Sequence, residues 1–201
     1  MKKLLLTMGL AAISAIGFSQ EKVQTYQMTY FDEVEFDISA TMNGDEVKHY
    51  ISMYSMEGNH RPVVLMIGGG DELFDFFDNL KEARNTYAKW DSISVENGVV
   101  DLNKQMSIKS KRFQAAFMYS DWYFDYSVPL SYTFKHIDGT ATLLIRTGEL
   151  NTPSNQYIDS DGGIFVFSSL DEIDTFIEAL QPNHVVEYFK NKANTDTLFE
   201  D

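Results

Sequence analysis

The 201-residue chain contains no cysteine, and that absence removes several chemistries at once. Disulfide bracing, thiolate nucleophiles, zinc–cysteine sites and a lipid anchor on an N-terminal cysteine are all excluded. Basic residues are few, 16 against 30 acidic, giving a formal charge of −14. A field of that sign disfavours nucleic acid and anionic membrane surfaces as partners. After the first twenty residues no apolar run is long enough to cross a bilayer as a helix, so no integral membrane segment is expected in the mature chain. Charged strand faces also argue against an outer-membrane barrel. Histidine is scarce too: His49, His60, His136 and His184 form neither H-E-x-x-H nor another ligand spacing. No G-x-S-x-G nucleophile elbow is present. A dispersed Ser-His-Asp triad leaves no mark in a sequence, and nothing favours one. No metal or cofactor is expected.

What is present begins with an address. Lys2 and Lys3 precede an apolar stretch at residues 4–16, and Gly17-Phe18-Ser19 supplies small residues at a peptidase cleavage site. That pattern predicts a signal peptide over residues 1–19 of an exported bacterial protein, periplasmic or extracellular. Cleavage after Ser19 would expose Gln20 and leave 14 bases against 30 acids, a mature charge of −16. With 44% hydrophobic residues the remainder is an ordinary globular chain. At this size it buries about 70% of its unfolded surface and needs no staple.

The chain resembles itself at an offset of 100. The segment from Asp71-Glu72-Leu73 to Leu80 aligns with that from Asp171-Glu172-Ile173 to Leu180, and each follows a continuous apolar run, residues 63–67 and 164–167. Upstream of each run lies a turn dipeptide suited to a hairpin, Asn43-Gly44 and Asp138-Gly139. With Asn43-Gly44 as the turn, Ala40 faces Val47, Ile38 faces His49 and Phe36 faces Ile51. With Asp138-Gly139 as the turn, His136 faces Ala141, Phe134 faces Leu143 and Tyr132 faces Ile145. Both registers place apolar against apolar. Each half therefore reads as hairpin, third strand, helix. The expectation is an α+β fold, an antiparallel sheet with two long helices on one face and an internally duplicated unit about a pseudo-two-fold. Repeat one covers about residues 29–90, inserted strands 91–128, repeat two 129–191, within a single domain over 20–192. An acidic tail follows at 193–201. Asn97-Gly98 reads as a third turn, and Pro182 as a break after which 185–189 add a final turn or two.

Candidate sites are few. Gly68-Gly69-Gly70 lies between strand and helix but lacks both phosphate-loop spacings, and Asp71 and Glu72 would repel an anion. In Asp159-Ser160-Asp161-Gly162-Gly163, an EF-hand register would put Tyr157 first and Ser168 last, so both ligand positions fail. The densest aromatic cluster runs from Tyr119 to Tyr126. On a strand Trp122, Phe124, Tyr126 and Val128 share one face and read as core, with Asp121, Tyr123 and Asp125 on the other. Two carboxylates four residues apart lie about 13 Å from each other along a strand, too far for a glycosidase pair. His49 and His136 fall on apolar faces as hydrogen-bonded structural imidazoles. Glu33, Glu35 and Asp37 line a solvated outer face. The expected function is non-catalytic binding of a protein or carbohydrate partner on the polar side of the sheet, through Tyr50, Tyr54, Asp121, Tyr123 and Asp125. The competing expectation is a hydrolase of envelope or environmental polymer using the acids of that face.

Overall fold

The computed structural model describes residues 20–31, 34–44, 46–58 and 61–197. The expectations placed on residues 1–19, on Glu33, on His60 and on residues 198–201 lie outside them.

In chain order the elements are β1 (Glu21–Met28), β2 (Val34–Asn43), β3 (Glu46–Ser55), β4 (Val63–Ile67), α1 (Asp71–Asn97), β5 (Asn103–Gln105), β6 (Arg112–Met118), β7 (Trp122–Pro129), β8 (Ser131–Ile137), β9 (Thr140–Arg146), β10 (Leu150–Asn151), β11 (Asp159–Ser160), β12 (Gly163–Phe167), α2 (Leu170–Ala179) and α3 (Pro182–Thr197). Ten strands form one antiparallel sheet in the order β5-β8-β9-β12-β3-β4-β6-β7, with β2 also on β3 and β1 on β2. The strand β3 is shared. Its residues 46–51 pair with β2, 49–53 with β4, and Tyr54 and Ser55 with β12. The ribbon β10–β11 stands apart.

The α+β expectation is met, and the two similar segments have the same connectivity. In each, the second hairpin strand is central, flanked by the first strand and by a third (β2-β3-β4 and β8-β9-β12), and a helix follows. The paired Asp-Glu at each helix start has a common task. The Glu72 carboxylate accepts the Gly68 N–H at 2.6 Å, and the Glu172 carboxylate accepts the Ser168 N–H at 2.5 Å. Both satisfy backbone donors in the turn that leads into the helix, and both put a carboxylate at its positive end. Helix α2 adds Ser169, whose hydroxyl accepts the Glu172 N–H at 3.2 Å.

The hairpins test the register argument. Around Asp138-Gly139 the pairing is as expected, Phe134 with Leu143 and Tyr132 with Ile145, and both turn residues have positive φ, 51° and 80°. The first hairpin is displaced by two residues. Asn43 itself pairs with Glu46, so Ala40 faces His49 and Ile38 faces Ile51. A slip of two keeps every side chain on its face, so alternation could not detect it.

Among the described residues three helices, not two long ones, cover one face. Helix α1 runs on to Asn97 because Gly98 is its left-handed stop at φ 63°, with the Val99 N–H bonding back to the Ser94 carbonyl at 2.9 Å. Thus Asn97-Gly98 ends a helix instead of turning a hairpin. The second helix divides at Gln181, and Pro182 opens α3, where its missing N–H costs nothing. That helix includes residues 193–197 of the expected tail and seats Val185 on Ala40 and Val47. Helices α1 and α2 pack Leu73, Phe76, Leu80, Ile173 and Phe176 against Ile38, Ile51, Leu65 and Phe165 in the main core. Arg84 of α1 and Asp174 of α2 join the two helices by a two-pronged ion pair at 2.9 and 2.8 Å. The hydrogen bonds to Arg84 draw the Asp174 pKa down.

Strand β1 was not anticipated. A register shift between Lys22 and Gln24 breaks its alternation, which hides the period-two signal. It changes the meaning of the acidic outer face. Lys22 reaches Asp37 at 2.6 Å and Glu35 at 3.6 Å, so the stripe is partly neutralised by its neighbour strand.

Candidate functional site

Among the described residues no helix covers the other face of the sheet, and the composition of that face follows from alternation. Residues 47, 49, 51 and 53 of β3 turn inward, so Lys48 and Tyr50 turn outward. Strand β4 is buried throughout. Val63, Leu65 and Ile67 join the main core, while Val64 and Met66 form a second cluster on the open side with Ala116. Tyr50, Trp122 and Phe124 pack onto that cluster without being fully covered. The result is a groove of about 400 Å³ across β2, β3, β4, β6 and β7. Ala116 pairs with Val64 on one side and Phe124 on the other. It offers only a methyl group where Phe124 carries a ring, so the floor dips there. Along β7 the wall is Trp122, Phe124 and Tyr126, and the last two rings lie 6.3 Å apart with planes 17° from parallel. Facing them are Tyr50, Met66 and Met42, and polar Gln20, Thr41, Asn43, Glu46, Lys48 and Gln114 complete the rim. The Lys48 ammonium donates to Gln114 Oε1 at 3.4 Å and lies 5.7 Å from the Tyr50 ring centre. A second depression, reaching to Gly68, Gly69, Asp71 and Glu72, shares Glu46, Lys48, Met66 and Gln114 with it.

The five residues singled out from sequence do not come together. Tyr50 lines the groove. Tyr54 lies further along β3 and stacks on Phe31, ring centres 3.7 Å apart. Tyr123 turns to the helix side, packed on the main core with its ring 6.1 Å from that of Phe117. Asp121 sits in the β6–β7 turn, where Oδ1 accepts the Trp122 N–H at 2.8 Å. Asp125 is a structural brace. Its Oδ1 accepts the Ser127 N–H at 2.9 Å, and its Oδ2 accepts the Asn151 N–H at 3.0 Å.

The reason for the exchange of faces is a bulge. Ala115 pairs with Asp125, but Phe113 pairs with Val128, so β7 carries one extra residue opposite Gln114. Beyond the bulge the alternation inverts. Val128 joins the core, whereas Trp122, Phe124 and Tyr126, expected in the interior, face outward and line the groove. Continuous alternation through 122–128 concealed this. The Asx-type contact from Asp125 to Ser127 is the local signal that could have revealed it.

The remaining candidates are structural. The Gly68 N–H is occupied by Glu72, and a Cβ on Gly69 would lie 3.0 Å from the Val47 carbonyl oxygen, so the glycine run is a close crossing over β3. Gly162, at φ 85°, approaches the 147–148 backbone so closely that a Cβ would stand 1.9 Å from the Gly148 carbonyl oxygen. The acid-and-glycine loop is therefore a tight turn. Among the described residues no cluster of three His, Asp or Glu could hold a metal, and no helix is long and apolar enough to cross a membrane.

His49 and His136 lie inward on their hairpins, but neither is the hydrogen-bonded imidazole expected. No ring nitrogen of either has a hydrogen-bond partner among the described residues. His49 is wholly buried, between Ala40 and Ile67 on its neighbouring strands, and burial lowers its pKa from 6.5 to about 4. Burial also pushes the Tyr87 hydroxyl up to about 12, and it donates to the Ala141 carbonyl at 3.0 Å. Compared with known proteins, the chain matches no family model, no curated protein and no solved structure.

Proposed function

We propose that this protein is an exported, non-catalytic binding module. Its ligand, a component of the bacterial envelope or of the surroundings, lies in the groove on the helix-free side of the sheet. The observation that carries this reading is the open face itself. Tyr50, Trp122, Phe124 and Tyr126 gather around a shallow apolar floor that no helix of the described residues covers, and Tyr126 is left 60% exposed. Aromatic side chains joined to a polar rim are the usual composition of a recognition surface. Export is supported by the charged, apolar and small-residue order of residues 1–19. Strand β1 begins at Glu21, so cleavage after Ser19 would remove none of the described strands.

The competing hydrolase has less support. The carboxylates of Asp121 and Asp125 are committed to backbone N–H groups of β7 and β10. Within the groove Glu46 is the single acid among the described lining residues, and a two-carboxylate mechanism needs a pair.

The test is depletion of the processed protein from solution by an envelope preparation, with the soluble fraction assayed for released fragments. The expected result is depletion by the wild type, at least tenfold weaker depletion by Tyr126→Ala, and no fragments. Fragment release by the wild type, or undiminished depletion by the variant, would overturn the reading.

A further inference from the structure

We infer that the groove takes a neutral oligosaccharide, with sugar rings seated on the aromatic strip of β7. This rests on the open face being the binding surface, and it adds the chemistry of the ligand. The first support is the form of the strip. Trp122, Phe124 and Tyr126 succeed one another at the two-residue step of a strand, about 7 Å, and the Phe124 and Tyr126 rings are nearly parallel. A ladder of flat rings, Tyr126 exposed and Trp122 and Phe124 half-buried, matches the flat C–H faces of pyranoses, which stack on aromatic faces. An acyl chain is better held in an enclosed cavity.

The second support is the rim. Asn43, Thr41 and Gln114 carry uncharged donors and acceptors, and their amides and hydroxyl can each pair with a sugar hydroxyl in either direction. The third is charge. Lys48 and Glu46 are the charged residues among the described lining, and they cancel. Around this neutral patch the chain as a whole is strongly acidic, which repels an anionic polymer. A basic peptide would find one carboxylate in the groove. A neutral chain of hydroxyl groups fits both facts.

Affinity electrophoresis in native gels tests the inference. The processed protein is run through gels containing hydroxyethyl cellulose, laminarin or dextran as neutral probes, and alginate as the anionic one. The expected result is retardation by at least one neutral polymer, unchanged by added salt, and none by alginate. Affinity falls at least tenfold in Tyr126→Ala. Since Tyr126 is largely exposed, that variant keeps the fold, and Gln114→Ala serves as a second probe of the rim with a smaller loss. Retardation by alginate alone, or neutral-polymer binding indifferent to both substitutions, overturns the inference. So does the absence of any neutral-polymer binding while envelope depletion remains dependent on Tyr126. In that last case the binding reading stands and the ligand is of another class, such as a protein. If Tyr126-dependent depletion is also absent, both fail.

Discussion

One residue should make a separable contribution to destabilisation by acid, and the amount can be worked from its burial. His49 is 0% exposed, has no hydrogen-bond partner for either ring nitrogen among the described residues, and holds its proton only below about pH 4. In the unfolded chain the same imidazole binds a proton below 6.5. Between those limits the unfolded state carries the extra proton, so stability falls as pH falls. The interval is 2.5 units, and at about 1.4 kcal/mol per unit the loss at pH 4 is about 3 kcal/mol. Below pH 4 the native state protonates as well and the loss levels off. The 30 acids titrate in part of the same window, so the comparison must be with His49→Leu, in which their contribution is common to both proteins. Urea unfolding followed by tryptophan fluorescence at pH 7, 6, 5 and 4 gives the two stability curves. The variant should equal or exceed the wild type at pH 7, because it removes two unpartnered buried nitrogens, and its advantage should widen by about 3 kcal/mol by pH 4. A gap that stays constant with pH, or narrows on acidification, would refute the assignment of His49 as a neutral, unpartnered imidazole.

Other consequences are open to the same unfolding assay. Gly162→Ala should cost about 3 kcal/mol or more, because its Cβ would meet the Gly148 carbonyl oxygen at a φ that disfavours side chains; a near-neutral result would contradict the close approach. Removing the helix-start carboxylates should destabilise unequally. Glu72→Ala should lose about 1 kcal/mol and Glu172→Ala about 2 kcal/mol, since Glu172 also accepts from the backbone N–H and the hydroxyl of Thr29. Equal losses would show that the Thr29 contacts add nothing. Asp125→Ala should lower stability by about 1–2 kcal/mol by releasing Ser127 and Asn151. Yet its ligand affinity in native gels should stay within a few-fold of wild type; abolished binding by a folded variant would restore Asp125 to the site.

How far the sequence could be read depended on whether a feature lives in local chemistry or in tertiary pairing. The Asp138-Gly139 hairpin was legible to the residue because both dipeptide positions take positive φ, which fixes the turn among the registers that alternation leaves equivalent. At Asn43-Gly44 the same reasoning fixed the face but missed a displacement of two, to which alternation is blind. The repeated Asp-Glu segments marked two helix starts whose glutamates make equivalent bonds. By contrast Asn97-Gly98 serves hairpins and helix stops alike, and local sequence did not reveal that α1 runs on to reach it. At the site, Tyr50 was legible as an outward residue of β3. The β7 aromatics were not, because one extra residue near Tyr126 inverts the faces while their spacing looks unbroken.

The claim that the open face is the binding surface is tested most directly by the exposure of Trp122. The chain has two tryptophans. Trp90 packs on Phe134 at the helix side with the Lys104 ammonium over its ring, so Trp90→Phe leaves Trp122 as the sole reporter. Acrylamide quenching of that protein is measured free and bound to the polymer that retards it. The account predicts that quenching of Trp122 drops several-fold on binding and that the drop disappears in Tyr126→Ala. Unchanged quenching in a protein demonstrably bound would place the ligand elsewhere and contradict the account.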